Sequence, residues 1–289
     1  MGISRKSFHL FSLIGYPLSH SLSSPMHMAA LKKMKMHGLY MTFEIEPKRF
    51  ATVIKGLHLL PFNGFNVTVP YKEKIIPILH TVSHEARIIG AVNTVKQGKM
   101  LHGYNTDAYG FACSLNEDLR FSPRGKSILL IGAGGAARAC IYALAKGGAK
   151  KIVIADCIRR KAEKLKKHFS PFFKKVQFTI VKAGEQEYES VLPEVDLLVN
   201  ATPIGLKKTD PLLVPSHIFQ RKKLYVYDLI YNPAHTKLLT VARRNGCRTS
   251  NGLGMLLHQG AKAFEIWTGK RAPVAEMRRA LQKALKSKL

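Results

Sequence analysis

Gly132, Gly134 and Ala137 stand in the spacing G-x-G-x-x-A, which is suited to holding a pyrophosphate. Gly132 permits a tight turn, and Gly134 lets the backbone approach a phosphate with no side chain between. Ala137 lets a following helix pack closely on the preceding strand. Ala133, Gly135 and Ala136 keep the rest of the turn equally small, and the N–H groups at a helix N-terminus face the anion. Glycine spacing alone is weak, because an ordinary strand-to-helix turn with small residues reads the same way. The context strengthens it. Ser127–Ile131 is a short apolar run suited to a buried strand, residues 136–145 suit a helix, and a second strand over Lys151–Ala155 ends in Asp156. A carboxylate roughly 20 or more residues beyond the first glycine is placed to bond a ribose.

A second group of polar residues lies in the first third of the chain. Ser21 and Ser23 precede a helix expected over about Met26–Met36. They are either caps or two alternate residues of an extended loop that jointly hold a carboxylate, and the spacing leaves both open. Asn66 and Thr68 share one face of a Val67-Thr68-Val69 strand that Pro70 ends, since side chains alternate with period two. Lys72 then falls in the first turn of a helix expected from Tyr71, where a cation opposes the helix dipole. That mild cost hints at a role, although most such lysines reach solvent. Asn-Thr occurs at Asn93-Thr94 and again at Asn105-Thr106, across a hairpin with Gly98 at its turn. Asp107 follows near a helix start and reads equally as an N-cap. All these residues sit at strand ends or strand–helix junctions, where α/β folds place ligands.

The elements that must position them are α/β throughout. Strands are expected over residues 8–15 and 40–45, with a helix from Lys48 to about Leu57 between the second strand and Gly64. Past the glycine turn, strands are expected over Val176–Val181, Val195–Asn200 and Leu224–Leu229. A helix over Leu238–Asn245 is stopped by Gly246, and Asn251–Gly254 reads as a glycine-bearing loop. Helices over Leu256–Trp267 and Val274–Lys286 close the chain.

With 289 residues and 46% hydrophobic content, the chain has enough material for two α/β domains or one large one. No apolar run approaches the ~18 residues that span a bilayer, and the run at Phe8–Gly15 reads as a first strand rather than a signal peptide. The opening Met1-Gly2 lacks the Ser or Thr that a myristoylation signal wants at Lys6. The cysteines Cys113, Cys140, Cys157 and Cys247 are scattered, with no C-x-x-C pair, so a reducing cytoplasm is expected. His20 and His27 gain no acidic or cysteine companion, and no metal is expected. The net charge of +28 favours anionic partners. The basic residues are dispersed, with moderate clusters at Arg159–Lys167 and Lys270–Lys288, and no aromatic-interleaved stripe accompanies them. A solvated basic surface is the better reading than a nucleic-acid interface.

The motifs S-H-S-x-S at Ser19–Ser23, N-V-T-V-P-Y-K at Asn66–Lys72, G-A-V-N-T at Gly90–Thr94, N-T-D-x-x-G at Asn105–Gly110 and G-A-G-G-A at Gly132–Ala136 resemble, in order, those of shikimate dehydrogenases. The resemblance continues through Asn200-Ala201-Thr202, Asp228–Tyr231, Asn251–Met255 and Gln259–Ala261, and it covers nearly the whole chain. It implies two α/β domains: a substrate domain over residues 1–108 joined by C-terminal helices from about 251–289, and a Rossmann-type nucleotide domain over 109–250. It implies reversible NAD(P)H-dependent reduction of 3-dehydroshikimate to shikimate, with Lys72 and Asp107 catalytic. Ser21, Ser23, Thr68, Asn93, Tyr231 and Gln259 would hold the substrate's carboxylate and hydroxyls. Gly132, Ala133, Gly134, Gly135, Ala136, Asp156, Thr202, Leu229 and Gly252 would hold the cofactor.

Two departures stand out. NADP-dependent members of that family end the second nucleotide strand with Asn-Arg-Thr, whose arginine pairs with the 2′-phosphate; this chain has Asp156-Cys157-Ile158. A carboxylate there favours NAD, although Arg159, Arg160 and Lys161 follow closely. Ser24 also separates Ser23 from Pro25, where the proline more usually follows directly. Quinate is a possible second substrate. A methylene-tetrahydrofolate dehydrogenase is disfavoured by the paired serines and the Asn-Thr-Asp motif, and a nucleic-acid-binding protein on the same fold by the joint presence of Lys72 and Asp107. No membrane partner is expected, and both monomer and homodimer are compatible with the sequence.

Overall fold

The computed structural model describes residues 8–18, 21–57, 59–220 and 224–287, so Ser19 and His20 of the serine motif lie outside the described residues. The chain divides into two compact units. The first runs to Thr106 and resumes at Leu256; the second is Asp107–Met255.

In the first unit, β1 (His9–Gly15) is followed by α1 (Ser23–Lys33), β2 (Gly38–Glu44), α2 (Phe50–Leu57) and β3 (Gly64–Val67). The short β4 (Thr81–Val82) and α3 (His84–Ile89) lead to the hairpin β5 (Thr94–Gln97) and β6 (Leu101–Tyr104). The sheet order is β2-β1-β3-β5-β6-β4; β1 runs parallel to β2 and β3, and β5 antiparallel to β3 and β6. Ile14, Phe65, Val67 and Val95 pack with Ile54 and Tyr71 into one core. Burying each such side chain contributes about 1.5–3 kcal/mol.

The second unit opens with α4 (Asp107–Leu119) and continues with β7 (Ser127–Ile131), α5 (Gly135–Lys146), β8 (Lys151–Asp156), α6 (Arg159–Phe169) and β9 (Gln177–Lys182). Then come α7 (Glu185–Val191), β10 (Leu197–Asn200), β11 (Tyr225–Asp228), α8 (Lys237–Arg244) and β12 (Arg248–Asn251). Its sheet is wholly parallel, in the order β12-β11-β10-β7-β8-β9. Counted from β7, that is the doubly wound 3-2-1-4-5-6 arrangement, whose switch point lies between β7 and β10. Strands buried on both faces need continuous apolar runs, and Ile128–Ile131 and Leu197–Val199 supply them. The chain leaves through α9 (Leu253–Thr268) and ends in α10 (Val274–Lys286).

Three local expectations are corrected. No α-helix begins at Tyr71: one helical turn, in which Ile75 N–H donates to the Tyr71 carbonyl at 2.9 Å, gives way to a 3₁₀ turn at Ile76–Ile78. Pro77 lacks the N–H that would continue the ladder, and its ring would collide with the carbonyl four residues back. The dipole argument for Lys72 falls with that helix. Residues 251–254 form the end of β12 and the start of α9, with Gly252 between, instead of a loop. Finally, α1 starts at Ser23, with Pro25 in the first turn, where its missing N–H costs nothing.

Candidate functional site

Lys72 is fixed by its main chain. The preceding Tyr71 is fully buried, stacks on Phe50 with 4.0 Å between ring centroids, and donates its hydroxyl to the Ile45 carbonyl. Tyr71 N–H also donates to the Thr68 carbonyl at 2.9 Å, and the Lys72 carbonyl accepts Val92 N–H at 2.8 Å. Lys72, half-buried, is thus tied one residue from Asn93. Thr68, also half-buried, extends the β1–β3 pairing beyond the strand end, its N–H donating to Ile14.

The repeated Asn-Thr pairs meet across the hairpin. Asn93 Nδ2 donates to Thr106 Oγ1 at 3.0 Å and to Gln259 Oε1 at 3.3 Å, while Asn93 Oδ1 accepts Thr106 N–H at 2.7 Å. Thr94 Oγ1 lies 3.1 Å from Thr106 Oγ1 and donates to Asn93 Oδ1 at 3.1 Å. Asn93, Thr94, Thr106 and Gln259 are all buried. Buried polar groups in such number must be mutually satisfied, because each orphan costs about 1–3 kcal/mol.

Ser21 and Ser23 behave differently from simple caps. Ser21 Oγ accepts Ser23 N–H at 3.2 Å and so shapes the turn, but no side chain caps α1, whose N-cap is Leu22. Ser23 itself is buried. His27 stacks on the Tyr40 ring at 4.4 Å within the core, a setting unlike that of a metal ligand.

In the second unit, Gly132 has φ +106°, and a Cβ there would stand 2.8 Å from the Ala201 carbonyl oxygen and 3.0 Å from the Thr202 methyl. Only glycine suits both the left-handed conformation and the close approach of β7 to β10 at the switch point. Gly134 is the N-cap of α5 with no side-chain cap, α5 has no acidic residue in its first turn, and the Cβ position of Gly134 faces open space. An uncapped helix N-terminus, with room beside Gly134 where a side chain would stand, fits a dinucleotide's diphosphate. Ala133, Gly135 and Ala136 line the same turn and are half-buried. Asp156 closes it, with Oδ2 accepting Ala133 N–H and Oδ1 accepting Ile158 N–H, both at 2.8 Å.

Thr202 donates N–H and hydroxyl to Asn200 Oδ1 at 2.9 and 2.7 Å. Asn200 Nδ2 in turn donates to Asp228 Oδ1 at 2.9 Å, beside Ile230 N–H at 3.1 Å, and Thr236 Oγ1 donates to Oδ2 at 2.7 Å. Burial pushes the Asp228 carboxyl up to about 6 against these three donors. Asp228 thereby pins the ends of β10 and β11 to the N-cap of α8, which fixes the strand ends that lead to Thr202 and Leu229. Gly252 packs on the Leu229 carbonyl so closely that a Cβ would stand 2.0 Å from its oxygen. Gly252→Ala is expected to cost about 1–3 kcal/mol of stability, read as a lowered Tm. Tyr231 follows β11, and burial raises its phenol pKa. Asp107 is the first residue of α4, is buried, and places its carboxylate at the positive end of the helix dipole. Lys72 and Asp107 fall in different units. Among the described residues, Glu185, Glu189 and His217 also approach within 4.8 Å of one another, with Glu189 and His217 paired at 2.5 Å on a partly exposed surface.

Asn66 and Asp228 are the side chains whose organising role the sequence leaves implicit. Both lay inside noted motifs, but only their burial, at 5% and 0% exposure, marks them as junctions.

Three family models match along the chain: the shikimate dehydrogenase substrate binding domain over residues 13–95, shikimate / quinate 5-dehydrogenase over 116–223, and the shikimate 5′-dehydrogenase C-terminal domain over 252–282. A protein from Geobacter metallireducens named shikimate dehydrogenase (NADP(+)) is 43% identical over 289 residues, covering 99% of this chain and 100% of the relative. The crystal structure of shikimate 5-dehydrogenase from Listeria monocytogenes, in complex with shikimate and NAD, is similar with a TM-score of 0.86 and 36% identity, over 95% of this chain and 96% of that one. Quinate dehydrogenase from Corynebacterium glutamicum, in complex with NAD, gives a TM-score of 0.88 at 31% identity over 96% and 100%. With both architecture and sequence shared over nearly its whole length, the chain belongs to the shikimate dehydrogenase family.

Proposed function

We propose that this chain catalyses the reversible NAD(P)H-dependent reduction of 3-dehydroshikimate to shikimate, a step in aromatic amino acid biosynthesis. The reading is carried by its full-length likeness to relatives named for that activity. The nicotinamide, when bound, supplies the hydride or accepts it. The glycine turn and the uncapped α5 would hold its diphosphate, with Thr202, Leu229 and Gly252 beside the strand ends of the same sheet. Reduction of a ketone leaves negative charge growing on oxygen, which needs a proton donor within hydrogen-bond reach. Lys72 would donate that proton and stabilise the developing alkoxide. Asp107 would hold the lysine and accept a hydrogen bond from a ring hydroxyl. Ser21 and Ser23 would bind the carboxylate, and Thr68, Asn93, Tyr231 and Gln259 would share the carboxylate and hydroxyls. In this reading the first unit is the substrate domain and the second the nucleotide domain.

We infer further that NAD is preferred. The Asp156 carboxylate is held in place by two backbone amides at the mouth of the glycine turn, where it can bond free ribose hydroxyls and would repel a 2′-phosphate. Arg159, the nearest cation in sequence, is paired along its own helix with Glu163 at 2.9 Å. Absorbance at the nicotinamide band, with shikimate and each nucleotide in parallel, tests both statements. Turnover is expected with kcat/KM for NAD about tenfold or more above that for NADP, and Asp156→Asn should narrow the gap about tenfold by removing the charge. A higher kcat/KM with NADP would overturn the nucleotide preference, and no turnover with either nucleotide would overturn the activity. Quinate tried in the same assay reads the breadth of the substrate pocket.

A further inference from the structure

Tyr40 belongs to none of the motifs, yet it stands at the head of a hydrogen-bonded chain that ends on two proposed substrate contacts, Asn93 and Gln259. The sheet brings it there. Tyr40 pairs with Phe11 and Asn66 with Leu13, so both side chains leave the same face with β1 between them. His27 from α1 stacks on the Tyr40 ring at 4.4 Å with an 8° interplanar angle, and Trp267 from α9 lies 6.3 Å away, tilted by 44°. The ring is 3% exposed and its direction is fixed.

The hydrogen bonds around its hydroxyl follow one direction. Asn66 Nδ2 donates to the Asn93 carbonyl at 3.1 Å and to Thr94 Oγ1 at 3.0 Å. A carbonyl can only accept, so the Asn66 amide has a single orientation, and its Oδ1 requires a donor. The Tyr40 hydroxyl is that donor, at 2.8 Å. Thr94, having accepted from Asn66, donates to Asn93 Oδ1 at 3.1 Å, and Asn93 Nδ2 then faces Gln259 Oε1 at 3.3 Å.

We propose that Tyr40 is a positioning residue for substrate: its hydroxyl anchors Asn66 at the head of the Asn66–Thr94–Asn93–Gln259 chain, whose last two members are assigned to the substrate's carboxylate and ring hydroxyls. The inference rests on the function proposed above. Removing the phenol oxygen orphans Asn66 Oδ1 in a buried site. The Asn66 amide is then held from its donor side alone, and the side chain on which Thr94 and Asn93 rest is less firmly fixed.

The test is steady-state kinetics of Tyr40→Phe with shikimate and the preferred nucleotide, beside the wild type. The KM for shikimate should rise about tenfold, kcat should fall less than about threefold, and the nucleotide KM should stay within about twofold. Thr94→Val, which cuts the chain further along and leaves Tyr40 in place, should reproduce much of the rise. The double variant should show no more than the larger single effect, because both act along one path. A packing role alone would lower Tm without this KM-against-kcat split. A shikimate KM within about twofold of wild type in Tyr40→Phe, or in Thr94→Val should Tyr40→Phe not fold, would overturn the inference, as would simple additivity. An inactive wild type would instead overturn the function on which it rests.

Discussion

Replacing Lys72 by alanine is expected to lower kcat about 10³-fold while leaving the KM for shikimate within about threefold. The size follows from losing the proton donor proposed above, a role worth roughly 10²–10⁴ in rate, together with the charge proposed to meet the developing alkoxide. Fold damage is not a competing explanation, because the side chain supports none of the main-chain contacts that hold this segment. Those belong to the buried Tyr71 ring, to Tyr71 N–H on Thr68, and to the Lys72 carbonyl on Val92, and alanine keeps all three. Nor is a helix disturbed, since Lys72 lies in a turn. An unchanged Tm in Lys72→Ala would confirm that the comparison is fair. A kcat within about threefold of wild type would remove Lys72 from the chemistry, and a large rise in KM with kcat intact would recast it as a binding residue.

The doubly wound half of the fold was legible because its signals are local. Small residues at Gly132–Ala137, an apolar run before them and helix formers after them all fall within about twenty residues, and the structure realises them as β7, turn and α5. Where local signals competed, reading by pattern failed. The charged and apolar residues after Tyr71 suit a helix until Pro77 removes a donor, and one proline decided the backbone at Lys72. The family motifs marked Asn93 and Gln259, but no local pattern relates them, since residues 166 apart in the chain meet only when α9 returns to the hairpin. Tyr40 was less legible still. In the sequence it is one apolar residue in an alternating strand, and only the β2-β1-β3 order puts its hydroxyl on Asn66. Periodicity identifies the face that a side chain joins; register and strand order identify its neighbours.

His27 gives the second large effect, on stability. Its ring is 1% exposed, stacked on Tyr40 at 4.4 Å with the tilted Trp267 ring 5.3 Å away, and neither ring nitrogen has a hydrogen-bond partner among the described residues. The surrounding groups offer no compensating negative charge: the Tyr40 phenol is itself pushed far above its ordinary range by burial, and Trp267 commits its N–H to the Val95 carbonyl at 2.9 Å. Burial therefore lowers the His27 pKa from 6.5 to about 3. The unfolded chain takes up a proton at about 6.5 that the folded chain refuses until about 3. The stability this neutral ring allows is full above pH 6.5 and is lost as pH falls from there toward 3, at up to about 1.4 kcal/mol per pH unit. Between pH 7 and pH 4.5 the loss from this one residue is about 2–3 kcal/mol, several degrees in Tm for a unit of this size. His27→Phe keeps an aromatic ring in the stack and removes both orphaned nitrogens, a change expected to be near neutral at pH 7.5. Thermal unfolding of both proteins across that range should show their Tm values diverging only below pH 6.5, with the Phe variant the more stable. Parallel curves down to pH 4.5 would mean that His27 is protonated or hydrated in the folded chain, and that acid lability arises elsewhere.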